Sequence, residues 1–103
     1  MIEGLYSVIK QDTEEVTVRL ASKNHFIFQA HFPNNPILPG FTLIDIMAEI
    51  LDDSVIHIIK SKFIVHVLPN DILICKINTN NKKRNIKIFK YEKKVSEIIY
   101  ESK

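Results

Sequence analysis

Alternation of apolar and polar residues predicts strands near the start of the chain. In the stretch VTVRL, residues 16–20, apolar side chains occupy every second position, and this period of two is typical of a half-buried strand. A shorter apolar stretch around residues 5–9 predicts a preceding strand, with the polar QDTEE between them as the turn.

A different pattern covers residues 41–53, FTLIDIMAEILDD, where apolar side chains dominate and polar ones are few. At 3.6 residues per turn, Asp45, Glu49 and Asp52 fall on one side. We therefore predict a helix that other elements cover on most sides, because so apolar a helix does not lie on a surface.

The second half of the chain again predicts strands. Residues 55–68 are rich in β-branched and aromatic residues and end at the turn signal Pro69-Asn70-Asp71. Further strands are predicted at 72–79, 86–91 and 95–100, with the polar loop NNKKRN at 80–85 and a turn at 92–94. The order predicts an α+β fold, residues 1–103 forming a single domain in which an antiparallel sheet surrounds one helix.

Composition narrows the class of protein. The 103 residues are 46% hydrophobic and 25% charged, as in ordinary globular domains, and no apolar run approaches the ~20 residues that span a bilayer. The start of the chain lacks the pattern of a secretory signal. Cys75, in the apolar stretch DILICKI, is the only cysteine and is expected to be buried; a single thiol excludes an internal disulfide and favours a cytoplasmic location.

Charge is divided unevenly between the two halves. Residues 1–59 carry three basic and eight acidic side chains, whereas residues 60–103 carry eleven basic and four acidic ones. Such a basic half is typical of proteins that bind nucleic acid, an anionic surface or an acidic protein, and also of a surface that only contacts solvent. Nucleic-acid binding is the weakest of these, because the basic residues lie among strand-forming apolar ones without a recognised motif.

The stretch HFPNNPILPGFTLID, from His31 to Asp45, holds three of the four prolines and one of the two glycines. Each proline restricts its own φ and favours extended backbone in the residue before it, so the segment is expected to be a stiff arm. Gly40 is expected to let the backbone turn tightly into the helix. Free N–H groups at the helix start favour negative charge, such as that developing on an oxygen atom during a reaction.

FIFQAHFPNNPILPGFTLID resembles the signature of the β-hydroxyacyl–acyl carrier protein dehydratases, roughly F-x-x-H-F-P-x-x-P-I-x-P-G followed by a Glu or Asp. KFIVHVLPNDIL and FKYEKKVSEIIY resemble a later strand and the closing hairpin of that family, so the likeness covers residues 24–100. The resemblance implies the hotdog fold, a central helix wrapped by an antiparallel sheet, and a homodimer or dimer of dimers.

The same resemblance implies roles for individual residues. His31 would be the catalytic histidine, Asp45 the catalytic acid from the other subunit, and Gly40 the N–H donor to the thioester carbonyl. Phe26, Phe28, Phe32 and Phe41 are expected to lie mostly in the core; the alternative for Phe32 and Phe41 is to line an acyl channel.

Two positions depart from the family pattern: Asn34 replaces a common glycine, and Glu49, one helical turn from Asp45, replaces a glutamine. Glu49 would act on the site through Asp45. Fewer residues separate Asp45 from Lys62-Phe63 than in the large dehydratases, so the resemblance does not define the length or class of the acyl chain in the substrate.

The implied reaction removes water from a 3-hydroxyacyl thioester, carried by an acyl carrier protein, to give the trans-2-enoyl thioester. A histidine base and a carboxylic acid suffice for it, so neither metal nor redox cofactor is expected. Two alternatives stay open: thioester hydrolysis on the same fold, and a non-catalytic subunit that binds acyl thioesters or their carrier.

Structural alternatives exist for the same side chains. His31 could be a histidine bonded to the backbone, and Thr42 with Asp45 fits a capping box at a helix start. His25 is expected to flank a strand, His57 to follow the helix and His66 to lie within a strand, none with metal-ligand spacing. The loop Lys82-Lys83-Arg84 is either a solvated turn or a docking site for an acidic carrier protein.

Overall fold

Six antiparallel strands form the sheet in the computed structural model, which describes residues 2–31 and 34–103. In chain order the strands are β1 (Tyr6–Gln11), β2 (Glu15–Leu20), β3 (Val55–Phe63), β4 (Ile72–Asn80), β5 (Lys83–Lys90) and β6 (Lys93–Ser102). In space the order is β1-β2-β4-β5-β6-β3, so β1 and β3 are the two edges. Two helices, α1 (Phe26–Ala30) and α2 (Gly40–Leu51), connect β2 to β3.

One face of the sheet and one side of α2 bury a shared core. Alternate residues of β2, such as Val16 and Val18, lie in this core with Leu43, Ile46 and Met47 of α2. The strand period of two and the helix period of 3.6 therefore place their apolar residues against each other. The predicted α+β architecture, an antiparallel sheet around a central helix, is confirmed.

Helix α2 begins at Gly40, one residue before the predicted stretch at 41–53, and ends where its backbone changes conformation. Asp52 has a φ of 54°, in the left-handed region, and the N–H groups of Asp52 and Asp53 donate to the carbonyls of Glu49 and Ala48. These bonds satisfy carbonyls that a helix end otherwise leaves without donors. At 12 residues, α2 is the longer helix, and no helix in the described part of the chain is long and apolar enough to cross a membrane.

Helix α1 was not expected from the sequence. His25 begins it by accepting a hydrogen bond from the N–H of Ile27 at Nδ1, and Nε2 lies 2.7 Å from the carbonyl oxygen of Glu3. Ile27 and Phe28 point into the core. The expectation that His25 flanks a strand is therefore wrong, because five residues are too few for a helical period to stand out from an apolar strand pattern.

The two C-terminal hairpins are tighter than predicted. Only residues 81–82 and 91–92 separate the paired strands. The first residue of each turn, Asn81 and Tyr91, has a φ of 58° and 57°, which lets the chain reverse in two residues. The predicted loop at 80–85 is therefore too long, and residues 83–85 belong to β5.

Below the C-terminal end of α2, a buried ion pair joins the helix to the sheet. The side chain of Asp53 is 6% exposed and accepts two hydrogen bonds of 2.9 Å from the guanidinium of Arg84. The hydroxyl of Tyr100 donates to the same carboxylate. Burial alone raises the pKa of Asp53, but these hydrogen bonds and the charge of Arg84 outweigh it and hold the pKa below its usual value.

Edge strand β3 leaves large apolar side chains in solvent. Its pairing with β6 shifts register at two points, and most of its residues are exposed. The exposed apolar residues of this edge are Ile56, Ile58, Ile59 and Phe63, together with Ile64 just beyond it. An exposed apolar edge strand is a template for pairing with another chain.

Candidate active site

A cavity of about 630 Å³ opens at the start of α2. Two chain segments that are distant in sequence form its walls, and a hydrogen bond of 2.8 Å from the Leu38 N–H to the Val67 carbonyl joins them. The described residues that line it are Ile37, Leu38, Pro39, Gly40, Leu43, Phe63, Ile64, Val65, His66 and Val67. Mostly apolar walls with few polar groups are typical of a small-molecule site.

Gly40 is the first residue of α2 and lies on the cavity wall. It does not adopt a left-handed φ, so the expectation that it is needed for a tight turn is wrong. A Cβ on Gly40 would instead lie 2.7–2.8 Å from the ring of Phe63, closer than carbon atoms pack. The absence of a side chain allows β3 to approach the helix start.

The backbone N–H of Gly40 has no carbonyl acceptor among the described residues. The N–H groups of a first helical turn lack partners within the helix, and the helix dipole adds partial positive charge there. This amide can therefore stabilise an oxygen that gains negative charge in the cavity.

His31 ends α1, and its half-buried ring is held by the backbone. The Nδ1 atom lies 3.0 Å from the carbonyl oxygen of Ile27. Since a carbonyl only accepts, Nδ1 carries the proton of the neutral ring, and Nε2 keeps a lone pair with which to take one. The backbone bond considered from the sequence is present, and it leaves Nε2 available as a base.

Asp45 lies on the exposed side of α2, one and a half turns from the helix start. The N-cap is Pro39, and no side chain caps the helix. Thr42 is already inside the first turn, and its buried Oγ1 has no hydrogen-bond partner among the described residues. The capping-box alternative for Asp45 is therefore wrong.

Glu49, one turn beyond Asp45, is held by β1. It accepts a hydrogen bond of 2.5 Å from the hydroxyl of Tyr6, which sequence analysis had not considered. Burial, and then this contact with the Glu49 carboxylate, raises the pKa of Tyr6 to about 12. Glu49 thus has a structural partner within the chain.

A single chain brings together only part of the predicted site. Gly40 lies on the cavity, whereas His31 and Asp45 are not among the residues that line it. The expectation of core phenylalanines holds for Phe28 but is wrong for Phe26 and Phe41, which are 65% and 59% exposed. Phe32 lies outside the described residues. Whether His31 and Asp45 meet across two subunits stays a prediction.

Two cavity residues were missed by the analysis of the sequence. Phe63 packs on Gly40, and His66 lies on the same wall, in an irregular segment after β3 rather than in a strand. Their stretch, KFIVHVLPNDIL, carried part of the family resemblance, which was the available signal. His57, in β3, is exposed and lies 3.5 Å from Glu101.

Other candidate groups have structural partners. Arg84 of the basic loop is held by Asp53, and the helix of 12 residues places this pair about 18 Å from the cavity. Burial raises the pKa of the Cys75 thiol to about 12 and keeps it protonated. Within residues 2–31 and 34–103, no group of three or more His, Cys, Asp and Glu side chains could hold a metal ion.

Comparison with known proteins gives the chain relatives over most of its length. The family model described as ApeI-like dehydratase matches residues 8–102. The bifunctional enzyme LpxC/FabZ of Chlorobaculum tepidum is 32% identical over 91 residues, which are 75% of this chain and 20% of that protein. The 3-hydroxyacyl-[acyl-carrier-protein] dehydratase FabZ of Xanthomonas euvesicatoria pv. vesicatoria is 30% identical over 95 residues, which are 78% of this chain and 62% of the relative.

The chain thus spans about three fifths of the length of this FabZ relative. Among solved structures, the dehydratase heterocomplex ApeI:P from Xenorhabdus doucetiae superposes with a TM-score of 0.80 at 21% identity, covering 94% of this chain and 96% of the other. An uncharacterized protein from Erwinia carotovora subsp. atroseptica gives a TM-score of 0.57, also at 21% identity, with coverages of 94% and 90%. The similarity in structure confirms the hotdog fold that the sequence motif implied.

Proposed function

This chain belongs to the ApeI-like dehydratase family, and we propose that it removes water from a 3-hydroxyacyl thioester to give the trans-2-enoyl thioester. One observation carries the proposal beyond family membership. The wall of the apolar cavity includes Gly40, whose N–H has no carbonyl acceptor among residues 2–31 and 34–103, and a thioester carbonyl can be held there while its oxygen gains charge.

His31 and Asp45 divide the proton transfers in this proposal. Nε2 of His31 takes the proton from C2 of the substrate, and negative charge develops on the thioester oxygen at Gly40. The carboxyl group of Asp45 donates a proton, directly or through water, to the hydroxyl of C3, which leaves as water. Elimination breaks the C2–H and C3–O bonds and forms the C2=C3 double bond, so no oxidant or reductant is needed.

We propose that the site is completed by a second subunit at β3. The free edge and the exposed Ile56, Ile58 and Ile59 support an extension of the sheet across this strand. Exposure of Asp45 on α2 supports its use by the neighbouring subunit. The proposed partner is a second copy of this chain; the related Xenorhabdus doucetiae dehydratase is described in a heterocomplex, which makes a chain of different sequence the alternative.

An acyl carrier protein is the proposed donor of the substrate, because the FabZ relatives are named for acyl-carrier-protein dehydration. The loop at Lys82-Lys83-Arg84 is a poor docking site, since Arg84 is committed to Asp53 at the far end of α2. A cytoplasmic location is proposed with it, supported by the single cysteine, Cys75, which has no second thiol for an internal disulfide.

Dehydration is tested by following the absorbance of the conjugated enoyl thioester with purified protein. We expect His31→Ala and Asp45→Asn each to lower kcat by about 10²-fold or more, the usual range for a general acid or base. Asp52→Asn, which alters an exposed carboxylate at the C-terminal end of the same helix, is the matched control and is expected to keep wild-type activity. Turnover that survives both site substitutions contradicts the assignment.

Mixing the two inactive variants tests the shared site. If His31→Ala and Asp45→Asn proteins exchange subunits, one site of each mixed dimer regains both groups, and activity returns. Sedimentation or light scattering must show the dimer in the same samples. Exchange without recovered activity contradicts the arrangement across subunits, although not the reaction itself.

The same assay separates the two alternative functions. Release of free thiol without enoyl absorbance identifies thioester hydrolysis. Binding of acyl thioester with no turnover at any chain length identifies a non-catalytic subunit. Either result replaces the dehydratase proposal.

A further inference from the structure

His66 is the polar side chain on the cavity wall that neither the motif nor the proposed chemistry uses. Of the described residues that line the cavity, His66 alone carries a hydrogen-bonding side chain; the others are aliphatic, aromatic, proline or glycine. Its ring makes no hydrogen bond or ion pair to the described residues. An imidazole in this position has both nitrogens available for a ligand.

The geometry places His66 close to the proposed thioester site. Leu38 is bonded to Val67, and Gly40 lies against Phe63, so the two wall segments run in opposite directions. His66 lies between Phe63 and Val67 in the sequence and therefore faces the stretch that leads into Gly40. A group bound at the Gly40 amide has His66 as its nearest polar side chain on this wall.

The residues that line the cavity differ in their exposure to solvent. Leu38, Leu43 and Val67 are buried and form its inner part, whereas His66 is exposed at the mouth. An acyl chain gains the most binding free energy when it covers the inner apolar residues. The arm that carries the thioester contains amide groups, which keep a hydrogen-bonding partner at the mouth.

We propose that His66 binds the amide-bearing arm of the acyl thioester by a hydrogen bond to an amide group, and so orients the substrate in the cavity. This inference rests on the proposed function, whose substrate it describes further. His66 takes no part in the proton transfers. Its loss weakens binding of the arm and leaves the reacting atoms in place.

Two substrates with the same 3-hydroxyacyl group test the proposal. In the first the thioester is formed with N-acetylcysteamine, which keeps an amide of the arm; in the second it is an S-ethyl thioester, which has none. We expect His66→Phe to raise KM for the first substrate about fivefold to tenfold, the value of one hydrogen bond. KM for the S-ethyl thioester and both kcat values stay within about twofold.

The conservative variant His66→Gln keeps a hydrogen-bonding side chain and is expected to restore KM for the amide-bearing substrate. If His66→Phe changes KM equally for both substrates, the ring only packs against the wall. If it changes neither KM, the ring does not contact the arm. Both results overturn the proposal.

If the wild-type protein turns over neither of these small thioesters, which lack the carrier protein, binding is measured in place of turnover. Titration calorimetry with two unreactive thioethers, one with and one without the amide, then decides the role of His66. We expect the same fivefold to tenfold loss in Kd for the amide-bearing thioether alone in His66→Phe. Equal Kd values for the wild-type protein and the variant reject the arm-binding role.

Discussion

Substitution of Asp53 by Asn probes the ion pair that holds the C-terminal end of α2. The carboxylate is 6% exposed, the guanidinium of Arg84 is 24% exposed, and their two hydrogen bonds are both 2.9 Å long. Asn keeps the volume of the side chain and one acceptor oxygen, but it removes the negative charge. The guanidinium is then left largely buried without its counterion.

The expected cost is about 2–4 kcal/mol in the free energy of unfolding at pH 7. Removing one partner of a buried pair costs roughly 3–5 kcal/mol. The value expected here is smaller because Arg84 reaches solvent, which screens part of its charge. For a domain of this size, 3 kcal/mol is a large part of a total stability of about 5–15 kcal/mol.

The effect of pH has a definite sign. The pKa of Asp53 in the folded protein is lower than in the unfolded chain. Its charge therefore stabilises the fold above the unfolded pKa of about 3.9, and this contribution is lost as pH falls through the folded pKa. The difference between wild type and Asp53→Asn is expected to be full above about pH 5 and to shrink below it.

Urea denaturation at pH 7 and at pH 3, at one protein concentration, measures both effects; a dimer makes the midpoint depend on concentration. Asp52→Asn is the matched control, because Asp52 is exposed and has a left-handed φ of 54°, which Asn adopts readily. We expect this control to change stability by less than about 0.5 kcal/mol. A cost for Asp53→Asn below that value, or one that does not fall in acid, refutes the electrostatic reasoning.

Three further substitutions test individual contacts, each by urea denaturation. Gly40→Ala is expected to lower the free energy of unfolding by about 1–3 kcal/mol, because the new Cβ would lie 2.7 Å from the Phe63 ring. The loss is expected to be smaller when Phe63 is also replaced by Leu. An equal loss with Phe63 and with Leu at position 63 contradicts the clash. Thr42→Val is expected to be neutral or to stabilise by up to about 1 kcal/mol, since the buried hydroxyl has no partner among the described residues; a clear loss reveals a partner. Tyr6→Phe is expected to cost about 0.5–1.5 kcal/mol at pH 7 through loss of the hydrogen bond to Glu49. Since the folded pKa of Tyr6 is raised to about 12 from about 10, that cost is present below pH 10 and fades as pH rises towards 12; a cost that stays constant up to pH 12 contradicts the contact.

Much of the fold follows from the sequence because its signals are local and repeat. The alternation in residues 16–20 and the apolar run in residues 41–53 each bury one side of an element, and the periods of strand and helix decide which side. The clustered prolines with His31 and Gly40 carried the family resemblance, and the family model and the similar solved structure bear it out.

Tertiary contacts decided the roles of some residues, which local sequence patterns do not reveal. Position 40 requires glycine because the ring of Phe63, 23 residues away in the sequence, occupies the space of a side chain, and not because the backbone has an unusual φ. Arg84 looked like part of a solvated loop, yet it pairs with Asp53 because a two-residue turn brings it into β5.

The cavity also arises only in the folded chain. It forms because Leu38 and Val67 meet across the start of α2, and this meeting brings His66 to its mouth. Periodicity in a sequence reports which side of an element is buried, whereas the identity of its neighbour depends on how distant segments pack. The sequence by itself therefore determined six strands, helix α2, their order and the family. It did not predict α1, and tertiary packing decided which side chains share the site.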